Sequence, residues 1–344
     1  MSTPPPPDPG QPWSYGPPPS GDAFPRYPQQ YGQYPYQGHP DPYRGYPDPH
    51  QGYPAQPPLA GDPLVATDLG GWFSRVFGVM RRSFGRLLVL QGVAMVVIGA
   101  AEIVIVQNML SAMMNSVATI QAAGRYGRGG DSSLLGPMLS AELAGFLTPT
   151  TLLLYALMLA ISVLVQAASW WVVISDAAGQ PTSLSAALRF GVRRFLPLLG
   201  WGLVANLLAT VGYVFLLVPG VYLSIVFVST LLGVVIVERG GIGRCFALIK
   251  GRFWATTGRL LLAGALGMGY LILLSVLITP VSLAFMGSGS NPFSGLWVSM
   301  GLNLVLAIPA VVAYLAVLVV TYVELRGHER PGVSTATLAA ELAR

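Results

Sequence analysis

Six long apolar runs punctuate this chain, at about residues 87–110, 149–174, 196–218, 221–237, 257–280 and 302–323. A helix rises about 1.5 Å per residue, so a run of roughly twenty residues crosses a hydrocarbon core about 30 Å thick. Each backbone amide in that core needs a partner within the protein, which favours helices for segments of this length and uniform apolarity. Only 10% of the 344 residues are charged and 53% are hydrophobic, whereas a soluble domain carries roughly 25% charged residues. The sequence therefore predicts an all-α membrane protein with six transmembrane helices.

What precedes the runs is more specific than the runs themselves. Residues 76–84 read VFGVMRRSF and residues 189–195 read RFGVRRF, sharing Phe-Gly-Val, two arginines and a phenylalanine. A third, looser stretch is ERGGIGRCFALIKGRFW, from Glu238 to Trp254. Each is basic and amphipathic, the composition of a helix lying in the membrane interface. The pattern predicts three membrane hairpins, each preceded by a cytoplasmic amphipathic helix, over about 68–85, 182–195 and 241–254. Asp68, Thr182 or Ser183, and Ser334 have the chemistry of helix N-caps, the last for a short closing helix. Between the third and fourth runs the chain reverses with no charge, and Pro219 and Gly220 are the candidate turn, since proline lacks an amide donor and glycine accepts a positive φ. Trp170 and Trp171 close the second run as an aromatic belt would.

The basic residues also orient the chain. Fifteen arginines and lysines lie beside the starts of the first, third and fifth runs and after the sixth, and two, Arg125 and Arg128, lie on the opposite side. The positive-inside rule then places both termini in the cytoplasm of a multi-pass protein of the cell membrane. Arg81, Arg82, Arg193, Arg194, Arg244, Lys250 and Arg252 are the candidate contacts for anionic lipid headgroups, each worth about 1 kcal/mol near such a surface.

Residues 1–63 form the first of three regions. They hold twenty of the 29 prolines and eight tyrosines, and include PDPYRGY followed at once by PDPHQGY. Such a composition builds no packed core and favours extended polyproline II, so a disordered cytoplasmic tail is expected, suited to recruiting protein partners. It lacks the apolar core of a secretory signal. Residues 64–325 form the membrane domain and 326–344 a short cytoplasmic segment.

Residues suited to chemistry are few. Glu102 is the one acidic residue well inside a run, and an ionisable group there is a candidate intramembrane polar site, with Gln107, Gln166, Asn206 and Asn303 as possible companions. The three histidines, His39, His50 and His328, lie outside the runs, and neither a GxSxG elbow nor an HExxH pair occurs. Cys245 stands alone, which excludes an internal disulfide. No cofactor, metal, catalytic residue or nucleic-acid partner is expected. Gly264, Gly267 and Gly269, with Ala263 and Ala265, put small residues four apart on the fifth run, a spacing that lets helices approach closely within the bundle or between copies of the chain.

Val218 to Leu223 (VPGVYL) and Ile236 to Trp254, ending in Lys-Gly-x-Phe-Trp, resemble the membrane domain attached to some bacterial glycerophosphodiester phosphodiesterases, a domain also found alone. Ala247 stands where that pattern often has serine. The resemblance covers about residues 68–325 and implies the helical membrane fold without the separate catalytic barrel. The Pro/Gly/Tyr tail resembles those of actinobacterial proline- and glycine-rich membrane proteins. Together these readings point to a non-enzymatic scaffold that organises partners or anionic lipids at the cytoplasmic face. The alternative is a transporter or lipid-handling protein with Glu102 in its pathway.

Overall fold

A computed structural model describes residues 61–125, 147–286 and 294–344, together with Gly136. Residues 1–60, and with them nearly all of the proposed tail and its tyrosines, lie outside the described residues, as do Arg128 and the glycines of the GRYGRGGDSS stretch beyond Gly124. Among the described residues all regular structure is helical: α1 (Leu69–Arg125), α2 (Pro149–Ala177), α3 (Leu184–Phe215), α4 (Leu217–Gly233), α5 (Ile242–Ile249), α6 (Phe253–Met286), α7 (Ser294–Glu329) and α8 (Thr335–Ala343). Six of them, α1 to α4, α6 and α7, are long and apolar enough to cross a membrane.

Two of the three basic stretches are not separate surface helices. The first is the opening of α1, a single helix of 57 residues and so about 86 Å long. Its interior holds no proline and only isolated glycines, so nothing breaks it where the amphipathic pattern gives way to the apolar one, nor at Leu110, where the first apolar run ends. The second opens α3, which starts at the Ser183 cap and continues through Pro197. Only the third forms its own helix, α5, and it is shorter than expected. It stops at Ile249, Gly251 turns the chain at φ +79°, and Phe253 and Trp254 already belong to α6.

The reversal between α3 and α4 falls at Leu216, which is extended at φ −156°. Pro219 and Gly220 therefore sit in the first turn of α4 rather than at the turn itself. A proline there removes only an amide that would have no helical partner. Gly220 serves a different purpose: a Cβ on it would lie 2.5 Å from the Tyr213 ring, so its absence lets α3 and α4 touch.

The core lies where α7 meets the other helices. The α7 segment Leu315–Arg326 is buried throughout, with α1 and α6 packed along its helix, α2 beside α1, and α3 between α2 and α4. Trp72 of α1 is buried and its Nε1 donates to Thr321 Oγ1 at 3.2 Å. Trp170, expected at the membrane–water boundary, is instead 1% exposed and meets the Tyr322 ring edge-on at 5.6 Å. Gln91 of α1 donates to Ser169 of α2 at 3.0 Å, a buried polar link in the apolar region. Among the described residues nothing lies within 4 Å of where the Cβ atoms of Gly264, Gly267 and Gly269 would be.

Candidate functional site

The last turn of α4 is not α-helical. Val234–Glu238 form a π-helical turn, closed by Arg239 at φ 56° with the Gly240 amide on the Val234 carbonyl. Such turns widen a helix by one residue and often occur at functional sites. Here the turn lies against a neighbouring helix. Gly233, just before the turn, lies so close to Tyr322 that a Cβ would fall 2.3 Å from its ring. The widened turn carries Glu238 around that ring to accept from the Tyr322 hydroxyl at 2.9 Å.

Glu238 anchors a network of charges from four helices. Its Oε2 accepts from Arg244 Nε of α5 at 2.6 Å, and its Oε1 lies 3.6 Å from Arg326 Nε. Arg244 also forks onto both oxygens of Glu329, and Arg326 onto both oxygens of Glu341 in α8. The Arg326 side chain is only 3% exposed, and a buried guanidinium is tolerated only with such pairing. The hydrogen bonds that Arg244 donates to Glu329, set against the cost of burial, and the carboxylate of Glu238 hold Arg244 charged well beyond the ordinary range of arginine. A second pair lies alongside: Arg259 of α6 is 2.6 Å from Glu324 of α7. On the other flank Ser83 and Arg86 of α1 both reach Asp176 at the end of α2.

The ends of α2, α4 and α7 thus meet the starts of α1, α5 and α6 in one polar junction. Its edge is held by Asp62, which precedes α1. Asp62 accepts from the amides of Leu64, Val65 and Thr335 and from the Thr335 hydroxyl, fastening α8 to the entry of α1. Burial raises the Asp62 carboxyl, but these four hydrogen bonds outweigh it and hold the group below the usual carboxylate range. Residues 61–63, assigned from sequence to the disordered tail, are therefore part of the folded body.

The candidate lipid contacts divide into paired and outward-facing groups. Arg244 is consumed by Glu238 and Glu329. Arg81, Arg82, Arg193, Lys250 and Arg252 are exposed; Arg82 reaches the Pro63 carbonyl at 3.5 Å, Arg252 lies 3.0 Å from His328 Nδ1, and Arg194 stacks over the Phe190 ring. Among the described residues none of these six pairs with a carboxylate. Cys245 faces inward at 0% exposure, and burial pushes its thiol up, so its position on a basic helix does not activate it.

Glu102 lies on the exposed face of α1, with no partner among the described residues. Its suggested companions separate. Gln107 is exposed on the same helix and Asn303 donates to its own helix at Ser299. Gln166 and Asn206, however, meet in a cavity of about 300 Å³ between α2, α3, α4 and α7, where Ser224 and Tyr314 add hydroxyls. Gln166 Oε1 is buried there without a hydrogen-bond partner among the described residues. Sequence reasoning passed over Tyr322, Glu324 and Gln91. The last was visible as an amide inside an apolar run, but the other two gain meaning only from partners far away in the chain. No family model, curated protein or solved structure matches the chain.

Proposed function

We propose that this chain is a non-enzymatic, multi-pass scaffold of the cell membrane whose basic end gathers anionic lipid headgroups at the cytoplasmic face. The observation that carries this reading is the division of the cations. Four arginines, Arg86, Arg244, Arg259 and Arg326, take up the ion pairs with the carboxylates of the junction, so the remaining exposed arginines and Lys250 are left to act outward. Headgroup phosphates are what such charges meet at a membrane surface. The composition of residues 1–60, rich in proline and tyrosine, is suited to recruiting protein partners. The resemblance to membrane domains that leave catalysis to a separate barrel supports a scaffold in the same sense.

The test is binding of the full chain in nanodiscs to anionic lipid. Replacing Arg81, Arg82, Arg193 and Arg194 by Gln removes four outward charges, each worth about 1 kcal/mol, and preference for phosphatidylglycerol over phosphatidylcholine should fall at least tenfold. Unchanged preference would end the lipid reading. A second reading, lipid handling through the bundle, draws support from the Gln166 cavity and not from Glu102. It expects Gln166→Leu, and not Glu102→Gln, to abolish any transport phenotype.

A further inference from the structure

We propose that the turn between α5 and α6 is a binding site for a phosphomonoester. It deepens the anionic-headgroup reading above by naming one site and one chemistry. A cavity of about 270 Å³ opens here between α5, the turn and the end of α7, and Lys250, Gly251, Arg252, His328 and Glu329 are among the residues that line it. Gly251, at φ +79°, bends the chain so that the residues on either side of it, Lys250 and Arg252, line the same cavity. An L-residue adopts that backbone only with strain, so the glycine is what brings two consecutive cations onto one site.

The charge of the cavity follows from the pairings around it. Glu329, which would repel an anion, has both oxygens engaged by Arg244. His328 adds no charge: Arg252 Nη2 is 3.0 Å from its Nδ1, and a guanidinium can only donate, so Nδ1 accepts and the ring is neutral with its proton on Nε2. Lys250 has no partner among the described residues. Lys250 and Arg252 are the two cations that line the cavity, with three ammonium donors and a planar guanidinium fork. A phosphomonoester carries about −1.5 to −2 charge near neutral pH and three terminal oxygens, and arginine binds two such oxygens at once. A phosphodiester offers one charge and two free oxygens, a poorer match to the same donors.

A separate observation sets the depth. Trp254, two residues past Arg252, is 82% exposed, although a tryptophan on a soluble surface is ordinarily covered. Exposed tryptophan beside basic residues belongs at the headgroup level of a bilayer. The phosphate therefore has two sources, the headgroup of a lipid such as phosphatidic acid or a free phosphate from the aqueous side.

The experiment compares the full chain with Lys250→Gln/Arg252→Gln. Both positions are exposed and make no carboxylate pair, so the variant keeps the junction, which thermal unfolding in detergent verifies. In one arm, nanodiscs containing equal phosphatidic acid and phosphatidylglycerol report which lipid the protein retains, read by native mass spectrometry. In the other, inorganic phosphate is titrated onto protein in lipid-free neutral detergent. Expected is retention of phosphatidic acid over phosphatidylglycerol by the wild type and a loss of that preference of about tenfold or more in the variant, which removes the charge-assisted hydrogen bonds. Binding of inorganic phosphate that depends on Lys250 and Arg252, with no lipid preference, also supports the site and assigns it to the aqueous ligand. Equal behaviour of wild type and variant in both arms overturns it. The general collar fails separately, through the four-arginine variant and phosphatidylglycerol, so the two failures are distinguishable.

Discussion

Glu238 offers two carboxylate oxygens to two arginines and a phenol, so each partner depends on the others for its geometry. Glu238→Ala should cost about 2–3 kcal/mol, below the range for breaking a fully buried pair because Arg244 keeps Glu329 and Arg326 keeps Glu341. Tyr322→Phe, which removes one hydrogen bond, should cost about 1 kcal/mol. Thermal unfolding in detergent reads both, and the double variant should cost less than their sum because the residues share one network. Additive losses would show that the phenol and the carboxylate act independently. Cys245 gives a second prediction at this scale. With the thiol at 0% exposure and its pKa raised by burial, a water-soluble maleimide should label it only after denaturation. What the sequence disclosed at the level of single residues was local. Asp68, Ser183 and Ser334 were visible as caps because a cap acts within three residues, and each accepts from the amide three residues on. Glu238 was visible only as a member of a motif. Its partner Tyr322 is 84 residues away, and no local pattern carries that separation.

Helix boundaries show the same division by range. The starts of α1 and α3 were legible because a cap marks each, whereas the boundary expected between basic stretch and apolar run was not a boundary at all in either helix. A change of polarity along a helix moves the exposed face but breaks no hydrogen bond, and a helix continues until proline, glycine or a competing side chain stops it. Conversely, the Pro219–Gly220 pair read as a turn because both residues are common there, while the structure uses the glycine for contact with Tyr213. The π-helical turn at the end of α4 was not legible, since it answers to the Tyr322 ring on another helix. Gly233→Ala should therefore cost about 1–3 kcal/mol as an overpacking change, and the cost should shrink in a Tyr322→Leu background, where the ring is gone. An equal cost in both backgrounds would mean that helix α4 itself, rather than its contact with α7, sets the turn. The clasp between the entry of α1 and α8 is open to a pH test. The folded Asp62 carboxyl titrates below its unfolded value of about 3.9. Its contribution is thus complete above that value and lost as the pH falls through the lower, folded value. Hydrogen exchange at Thr335, corrected for its intrinsic acid dependence, should accelerate across that window. In Asp62→Asn the amide group places a donor where an acceptor is needed, so protection should be weak at every pH. Acid-independent protection in the wild type would remove Asp62 as the fastening group.

At the scale of the whole molecule, composition and charge bias carry the most information, because they integrate over the chain and tolerate errors at every boundary. The six apolar helices follow from composition alone. The fifteen-to-two division of cations predicts more than the helices do, namely a direction. The structure bears on its first requirement, that cations from separate parts of the chain occupy one region. Arg86 meets the end of α2, Arg259 meets the end of α7, and Arg244 joins the ends of α4 and α7. Whether that region faces the cytoplasm is a property of the chain in its membrane, and single cysteines decide it. In a Cys245→Ala background, Leu147→Cys marks the entry of α2, where the native side chain is 61% exposed, and Ala340→Cys marks the outer face of α8. An impermeant maleimide added to intact cells should label the cysteine at 147 and reach the one at 340 only after lysis. The reverse pattern would invert the orientation, moving the basic junction and the Lys250–Arg252 cavity to the outer leaflet. Labelling of both in intact cells would put the entry of α2 and the end of the chain on one side, which requires an even number of crossings between them in place of the five given by α2, α3, α4, α6 and α7, and so ends the six-span reading.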